Sequence, residues 1–320
     1  MTTLPDYVSS RGHGEISFEI PARMTGATAY QFVLAAARAP LQRFVDAQLN
    51  RVSNGAVHYT ALPFLFHYYM DVERVTSIPE VIGYVPYREA GFMVPLLQKR
   101  EGHLLPELKL WLPYILIDRD CGMVAGREVW GYPKAMGVMT MNPDPAQATH
   151  CAAETTIFRT LQPDTRGERA TLFETNRVTG GAHGNEWGSF GAALGGLFGR
   201  ALGDVEQALA GVAGAAIDAL ALHPQAPVIN LKQFRDAADS RKACYQALVN
   251  GPVALDTWRG GGFLGGDYEV TITACESHAI VTDLGLGAPG ADKTVIPAKF
   301  GGWMKMDFSA LQGDIVWQTP

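Results

Sequence analysis

The chain has 320 residues, of which 47% are hydrophobic and 18% are charged, which is enough material for one large core or two small ones. A formal net charge of −6 and the lack of a Lys/Arg run argue against a nucleic-acid partner. The opening residues show no basic region followed by an apolar one, so we expect no secretory signal and a cytoplasmic protein. Four cysteines lie far apart without a CxxC pair, which argues against a zinc knuckle: Cys121, Cys151, Cys244 and Cys275.

The elements, taken in chain order, predict a strand-dominated protein. Residues 1–25 are expected to form an irregular arm, and residues 27–50 a short strand or turn followed by a helix with an apolar face. Pro and Gly then separate short aromatic and β-branched segments, which predict a largely antiparallel sheet. These segments are 62–72, 88–97, 108–117, 227–234, 243–249, 268–274 and 314–319. Strands with a few helices predict an α+β fold.

The segment 185–224 departs from this pattern because it is rich in Gly and Ala and has leucines at helical spacing. Four glycines share one helix face and would allow another backbone to approach closely: Gly191, Gly195, Gly199 and Gly203. Charged residues interrupt the run before the ~20 apolar residues that a membrane span needs, so we predict no transmembrane segment. Three alternatives remain open. The segment packs on the core or on another subunit, forms a lid over the site, or lies on a membrane surface.

The stretch GREVWGYPKAMG, residues 126–137, contains a lysine that is flanked by aromatic and small apolar residues. Burial among such neighbours disfavours the ammonium form of Lys134, and only the neutral amine attacks a ketone. The resulting iminium is an electron sink for breaking a C–C bond or ionising a C–H bond. A long side chain that follows the surface to reach solvent is the alternative interpretation.

GREVWGYPKAMG resembles the signature of the acetoacetate decarboxylase family, and YREAGFMVPLL, residues 87–97, resembles a second recurrent stretch of that family. The similarity spans residues 27–310, interrupted by a helical insertion at 185–224. The resemblance implies a single domain over 1–320 and a strongly curved, cone- or barrel-like antiparallel sheet around an apolar cavity. It also implies a homo-oligomer, Lys134 as the Schiff-base lysine and Glu89 as an active-site carboxylate.

The same motifs suggest residues that contact the substrate. Phe92 and Met93, next to Glu89, are expected to wall the pocket. Candidates from the lysine motif are Arg127, Glu128, Trp130 and Tyr132. For the charged pair Arg127 and Glu128, the alternative is a structural role in fixing the loop that bears the lysine.

Three positions depart from the family pattern. Ala135 stands where decarboxylases of the family carry a second lysine, so burial would have to supply most of the activation. His67 lies near the place of a second glutamate, and we predict it as an acid–base group, with a core histidine as the alternative. The arginine associated with the substrate carboxylate has no clear counterpart, Arg23 being the nearest candidate.

The chemistry that these observations favour is a Schiff-base lyase acting on a small-molecule keto acid. Decarboxylation of a β-keto acid leads, and the alternatives are aldol addition and dehydration through the same lysine and a non-catalytic protein that holds an apolar ligand. Histidine spacing predicts no metal site. GGGFLGG, residues 260–266, is expected to be a turn between strands rather than a phosphate loop, so we predict no cofactor.

Overall fold

The computed structural model describes residues 4–8, 17–103, 105–203, 205–222 and 225–319. Strands dominate and helices are few, so the predicted α+β class is confirmed. The first long strand starts at Ala22, three residues before the expected end of the irregular arm, and residues 1–3 and 9–16 of that arm lie outside the described residues. The strand and helix predicted within 27–50 are both present.

The strands are β1 (Ala22–Ala35), β2 (Val57–Ala61), β3 (Phe64–Ser77), β4 (Val85–Arg100), β5 (Glu107–Ile117), β6 (Lys134–Met136), β7 (Val138–Thr140), β8 (His150–Ile157), β9 (Glu168–Arg177), β10 (Gln225–Arg235), β11 (Ala243–Leu264), β12 (Tyr268–Thr273), β13 (Lys293–Pro297), β14 (Phe300–Ala310) and β15 (Asp314–Gln318). The helices are α1 (Arg38–Val45), α2 (Asp120–Ala125), α3 (Phe190–Leu202), α4 (Gln207–Leu222) and α5 (Ile280–Asp283). Single π-helical turns, Asp46–Asn50 and Gly126–Trp130, extend α1 and α2.

The larger sheet curves until it closes on itself. Within the described residues, its pairings run β4–β3–β1–β14–β11–β10–β5 and return to β4, which makes a ring of seven strands. All of these pairings are antiparallel except that of β5 with β10, which is parallel and short. Closure removes the unpaired edges that an open sheet would expose. The strongly curved sheet predicted for this chain is therefore confirmed.

A smaller sheet, β13–β12–β9–β8–β7, packs on the outside of the ring. Side chains on one face of the ring strands join side chains of this second sheet in one hydrophobic core, for example Tyr69 and Phe92 with Phe173 and Val270. Because successive side chains of a strand point to opposite faces, the alternate residues of the same strands face the interior of the ring. The ring thus separates an outer face, which packs on the second sheet, from an inner face.

Helices α3 and α4 occupy the segment that was predicted to be helical. Buried residues of α3, including Leu194, Leu197 and Phe198, pack against Phe64 and Phe66 of β3. The glycine stripe of α3 plays no part in this contact, since Gly195 and Gly199 have open space where a side chain would begin. Among the described residues, no helix has both the length and the hydrophobicity that crossing a membrane requires.

The expected turn over residues 260–266 is wrong in extent, because β11 continues to Leu264 and only Gly265 and Gly266 turn. These glycines serve close packing. A Cβ on Gly262 would lie 2.0 Å from the backbone oxygen of Gly184, and one on Gly261 would lie 3.0 Å from the Trp187 ring. Without side chains there, the segment leading into α3 lies flat on β11.

Candidate active site

The loop that carries Lys134 has a geometry set by two glycines. The π-helical turn Gly126–Trp130 ends at Gly131, whose φ of 78° lies in the left-handed region. A Cβ at Gly131 would also lie 2.4 Å from the Cα of Lys232 on β10, so only glycine fits. The chain then enters β6, which pairs in parallel with β5 and sets Lys134 opposite Ile115. Single π-helical turns are frequent at functional sites.

Lys134 and Glu89 form a buried pair. The Lys134 Nζ lies 2.6 Å from Glu89 Oε2, and the two side chains are 11% and 7% exposed. The hydroxyl of Tyr68 donates a hydrogen bond of 2.8 Å to the other carboxylate oxygen, Oε1. The carboxylate thus lies between an amine and a phenol, each within proton-transfer distance of one of its oxygens.

Three phenols surround this pair and are held in their neutral form. The Lys134 Nζ lies 5.3 Å from the ring centroid of Tyr132 and 5.8 Å from that of Tyr87. Burial first, and then the Glu89 charge, raises the pKa of Tyr68, Tyr87 and Tyr132 well above the ordinary tyrosine value. These hydroxyls therefore remain hydrogen-bond donors at neutral pH.

The pair opens into a cavity of about 210 Å³ inside the ring of strands, and all seven ring strands contribute to its lining. The lining is mainly Met, Leu, Val and Phe side chains, to which α3 adds Phe190, Leu194, Leu197 and Phe198. Among the described residues that line it, Glu89 and Lys134 alone carry charge. An apolar cavity with one charged pair is typical of a small-molecule site.

Three of the residues expected to contact the substrate line this cavity: Met93, Trp130 and Tyr132. Met93 shares the inner face of β4 with Glu89, four residues away. The Trp130 indole nitrogen donates to the Leu311 carbonyl at 2.9 Å, which fixes the ring in the wall. Phe92 is not among the lining residues. It points to the outer face and packs on Phe173 of the second sheet, with ring centroids 5.2 Å apart.

The structure separates His67 from the lysine. In the register of β3 and β4, His67 pairs with Phe92, whereas Tyr68 pairs with Gly91 and Met70 with Glu89. His67 consequently lies in the outer core, fully buried, with Nδ1 2.9 Å from the Gly91 carbonyl oxygen. Burial lowers the pKa of His67 to about 3, so the ring is neutral. This position is away from the lysine and is the one that the alternative of a core histidine describes.

Arg127 and Glu128 lie outside the cavity, on the far side of the lysine loop. The exposed Arg127 donates from Nη1 to the backbone oxygen of Lys134 at 3.0 Å. Glu128 accepts a hydrogen bond of 3.4 Å from the Tyr7 hydroxyl. Both residues line a separate surface pocket with Pro133 and Gln233. These contacts match the structural alternative, because Arg127 fixes the backbone that holds the amine.

The remaining positions from the motif comparison also lie away from the amine. Arg23 is half-exposed, with Nε 3.8 Å from Asp256 Oδ2, and does not line the cavity. Ala135 packs partly buried against the outer core. Within the described ranges, no group of three or more His, Cys, Asp or Glu side chains is arranged to hold a metal ion.

Sequence reasoning missed Tyr68, and for the segment that contains helix α3 it offered a lid over the site as only one of three alternatives. Tyr68 is adjacent in sequence to His67, the residue that was predicted as the acid–base group. Only the register of β3 against β4 shows that Tyr68, and not His67, lies on the same side of the sheet as Glu89. A one-residue shift of register exchanges the two faces of a strand. The leucines and Phe198 of α3 appear in the sequence as an ordinary apolar helix face.

Comparison with solved structures shows which fold this is. An acetoacetate decarboxylase from Legionella pneumophila matches with 13% identity and a TM-score of 0.56, covering 98% of this chain and 92% of that one. The enduracididine biosynthesis enzyme MppR, complexed with pyruvate, matches with 14% identity and a TM-score of 0.56, covering 97% and 95%. An acetoacetate decarboxylase-like enzyme from Sphingomonas wittichii matches with 12% identity and a TM-score of 0.58, covering 98% and 100%. At these identities the similarity establishes the fold alone.

A search of curated proteins found no significant match. A comparison with family models, by contrast, gave a match in sequence. The family model for acetoacetate decarboxylase matches residues 3–170, which is more than half of the 320 residues and includes Glu89 and Lys134. The chain therefore belongs to the acetoacetate decarboxylase family.

Proposed function

We propose that this protein is a Schiff-base-forming lyase that decarboxylates a β-keto acid through an iminium on Lys134. The observation that supports this most directly is the 2.6 Å contact between Lys134 Nζ and Glu89 Oε2 inside an apolar cavity. The carboxylate can accept a proton from the ammonium, which leaves the neutral amine that attacks a ketone. Membership of the acetoacetate decarboxylase family supports a lyase of this type.

The steps follow from the order of these groups. The amine of Lys134 adds to the ketone carbon, and Glu89 returns its proton to the departing oxygen, which leaves as water. In the iminium, the bond between the α-carbon and the carboxylate carbon breaks and carbon dioxide leaves. The electron pair of that bond moves toward the iminium nitrogen and forms an enamine. Glu89, again a carboxylate, takes a proton from solvent and delivers it to the enamine carbon, which regenerates an iminium. Water hydrolyses the new iminium, which releases the ketone and the free lysine.

The cavity favours decarboxylation because of its charge. Its described lining offers a substrate carboxylate no cation except Lys134 itself. An anion held among apolar side chains is poorly solvated, and loss of carbon dioxide removes that charge. The iminium receives the electron pair, so the transition state has less separated charge than the bound acid. Arg23, the nearest counterpart of the arginine associated with the substrate carboxylate, does not line the cavity, which is consistent with this chemistry.

Aldol addition and dehydration is the second candidate, and the Glu89–Tyr68 hydrogen bond favours it. A pyruvate-type enamine on Lys134 would attack an aldehyde, and the same pair would supply and remove the protons for loss of water. MppR, which shares the fold, has been solved with pyruvate and with a condensation product of pyruvate and an aldehyde. These complexes are those of MppR, and they suggest pyruvate and an aldehyde as substrates to assay with the present protein.

Turnover assays with β-keto acids, and with pyruvate plus aldehydes, test the proposal. We expect carbon dioxide and a ketone from the first group, and no product from Lys134→Ala or Lys134→Arg protein. Aldehyde consumption without carbon dioxide would support the aldol reaction instead. If Lys134→Ala retains full turnover, the lysine is not the nucleophile. If no substrate turns over, the non-catalytic ligand-binding alternative takes precedence.

The organisation of the whole molecule is part of the same proposal. We propose that the chain is one domain and that it assembles into a homo-oligomer, as the family resemblance implies. The exposed glycine face of α3, with open space at Gly195 and Gly199, is available for contact with another subunit. Analytical ultracentrifugation measures the subunit number directly.

A further inference from the structure

The inside of the ring has two regions with different chemistry. One holds the amine, Glu89 and Tyr68, with Trp130 and Tyr132 also in its wall. The other lies beside α3, whose Phe198 ring packs 5.0 Å from the Phe66 ring. Phe66 and Tyr68 are two residues apart on β3, on the same face. The reactive groups and α3 therefore share one continuous cavity.

The distance between these two regions follows from strand geometry. Glu89 and Met93 both line the cavity and are four residues apart on β4, which corresponds to about 13 Å along the strand. The lining over this length is apolar, with Met93 and Leu110 from the ring and Leu194, Leu197 and Phe198 from α3. A keto acid with only a methyl group on its ketone carbon would leave this part of the cavity unfilled.

We propose, on the basis of the proposed function, that the substrate carries a long apolar substituent on its ketone carbon and that α3 sets the length of that substituent. The ketone lies at Lys134, and the substituent extends past Phe66 to Leu194 and Phe198. Each methylene buried there adds roughly a fourfold gain in binding. The cavity of about 210 Å³ equals roughly seven water-sized volumes, which suits a pentyl or a phenyl group better than a methyl group.

The first experiment measures kcat/KM for β-keto acids that bear methyl, propyl, pentyl, heptyl and phenyl groups on the ketone carbon. We expect kcat/KM to rise at least tenfold from methyl to pentyl. Borohydride trapping of the methyl compound on Lys134 is measured in parallel. If the methyl compound forms the adduct but longer compounds gain nothing in kcat/KM, the chain-length inference is wrong while the proposed function stands.

The second experiment changes the end of the cavity. Leu194, on α3 and nearly buried, is replaced by Trp to shorten the cavity and by Ala to lengthen it. We expect Leu194→Trp to shift the preferred substrate toward propyl and Leu194→Ala toward heptyl. Ala215→Trp, at an exposed position of the neighbouring α4 that does not line the cavity, is the control and should keep the pentyl preference. Opposite shifts cannot arise from misfolding, and the absence of both shifts would overturn the assignment of α3.

The third experiment separates the two proposals if no adduct forms. Lys134→Ala protein is titrated calorimetrically with acetone and with methyl pentyl ketone, the expected product of the pentyl substrate. Tighter binding of methyl pentyl ketone supports the long apolar ligand even when the Schiff base fails. Equal affinity for the two ketones contradicts it.

Discussion

The Nζ of Lys134 lies 2.6 Å from Oε2 of Glu89, and Tyr68 holds the opposite carboxylate oxygen at 2.8 Å. These three residues come from three different strands, β6, β4 and β3. The pairing of β4 with β3 and β5, and of β5 with β6, brings them together. This cluster of three side chains is thus a product of the strand pairing in the sheet rather than of one motif.

Glu89→Gln should lower kcat/KM for ketone formation by about 10²-fold to 10⁴-fold, because the amide has nearly the same shape but cannot accept the ammonium proton. Steady-state kinetics with the best β-keto acid measures this change. Glu107→Gln is the matched control, since Glu107 pairs with Lys109 at 2.9 Å and does not line the cavity. Unchanged turnover of Glu89→Gln would remove Glu89 from the mechanism.

Tyr68→Phe should lower the rate roughly 10-fold to 100-fold, because a hydrogen bond to a charged group contributes about 1.5–3 kcal/mol. The neighbouring Tyr69 provides a close control. Its hydroxyl donates to the Cys151 carbonyl at 3.3 Å on the outer face. Tyr69→Phe should leave kcat unchanged and reduce the free energy of unfolding by about 1 kcal/mol. If Tyr68→Phe and Tyr69→Phe lower the rate equally, the hydrogen bond from Tyr68 to Glu89 has no specific role in the reaction.

His67 should make the free energy of unfolding depend on pH. Its pKa is lowered to about 3 in the folded protein, whereas an unfolded histidine titrates near 6.5. The stabilisation that the neutral ring contributes is complete at a pH above the pKa of the unfolded chain, and it is lost as the pH falls toward the pKa of the folded protein. Between these two pKa values, the free energy of unfolding should decrease by about 1.4 kcal/mol for each unit by which the pH is lowered, because only the unfolded chain binds the proton.

Denaturant titrations from pH 7 to pH 4.5 test this, with His67→Phe as the comparison. The variant keeps an aromatic ring beside Phe92 and has no proton to bind. Over this range, the free energy of unfolding of the variant should change less with pH than that of the wild type, by the amount that corresponds to the binding of about one proton. Identical slopes would mean that His67 is not buried in its neutral form.

Gly126→Ala should disturb the amine with little effect on folding. Gly126 has helical dihedral angles that alanine adopts freely, but its Cβ would lie 2.9 Å from Cδ of Lys134. The flexible lysine would move, and a displacement of about 1 Å at the reacting atom lowers the rate by roughly 10²-fold. Gly211→Ala, at an exposed position of α4 where nothing lies within 4 Å, is the control. A fully active Gly126→Ala protein with an unchanged melting temperature would contradict this positioning.

Part of this architecture was accessible from the sequence. The aromatic and β-branched segments predicted the strands because alternation and turn residues act locally, and the lysine motif pointed to the loop that forms β6. Closure of the ring depends on contacts between distant strands, and so does the face on which each residue lies. For this reason His67 and Phe92 were expected near the lysine, although the β3–β4 register points both of them outward.

The glycines of β11 are a second case in which contacts between distant segments could not be predicted from the sequence. Their composition resembles a turn, but Gly261 and Gly262 lie within β11, where the lack of side chains lets Trp187 and Gly184 pack against the strand. No local property of residues 260–266 shows that another segment lies on top of them. The role of α3 in lining the cavity is likewise a property of the assembled ring, not of its helical pattern.

Borohydride trapping with a β-keto acid tests the central claim most directly. Intact mass followed by peptide mapping should show one reduced ketone adduct per chain, located on Lys134 and absent from the Lys134→Ala protein. The same panel with no adduct on any residue, or with an adduct on a different lysine, would contradict the account of Lys134 as the nucleophile.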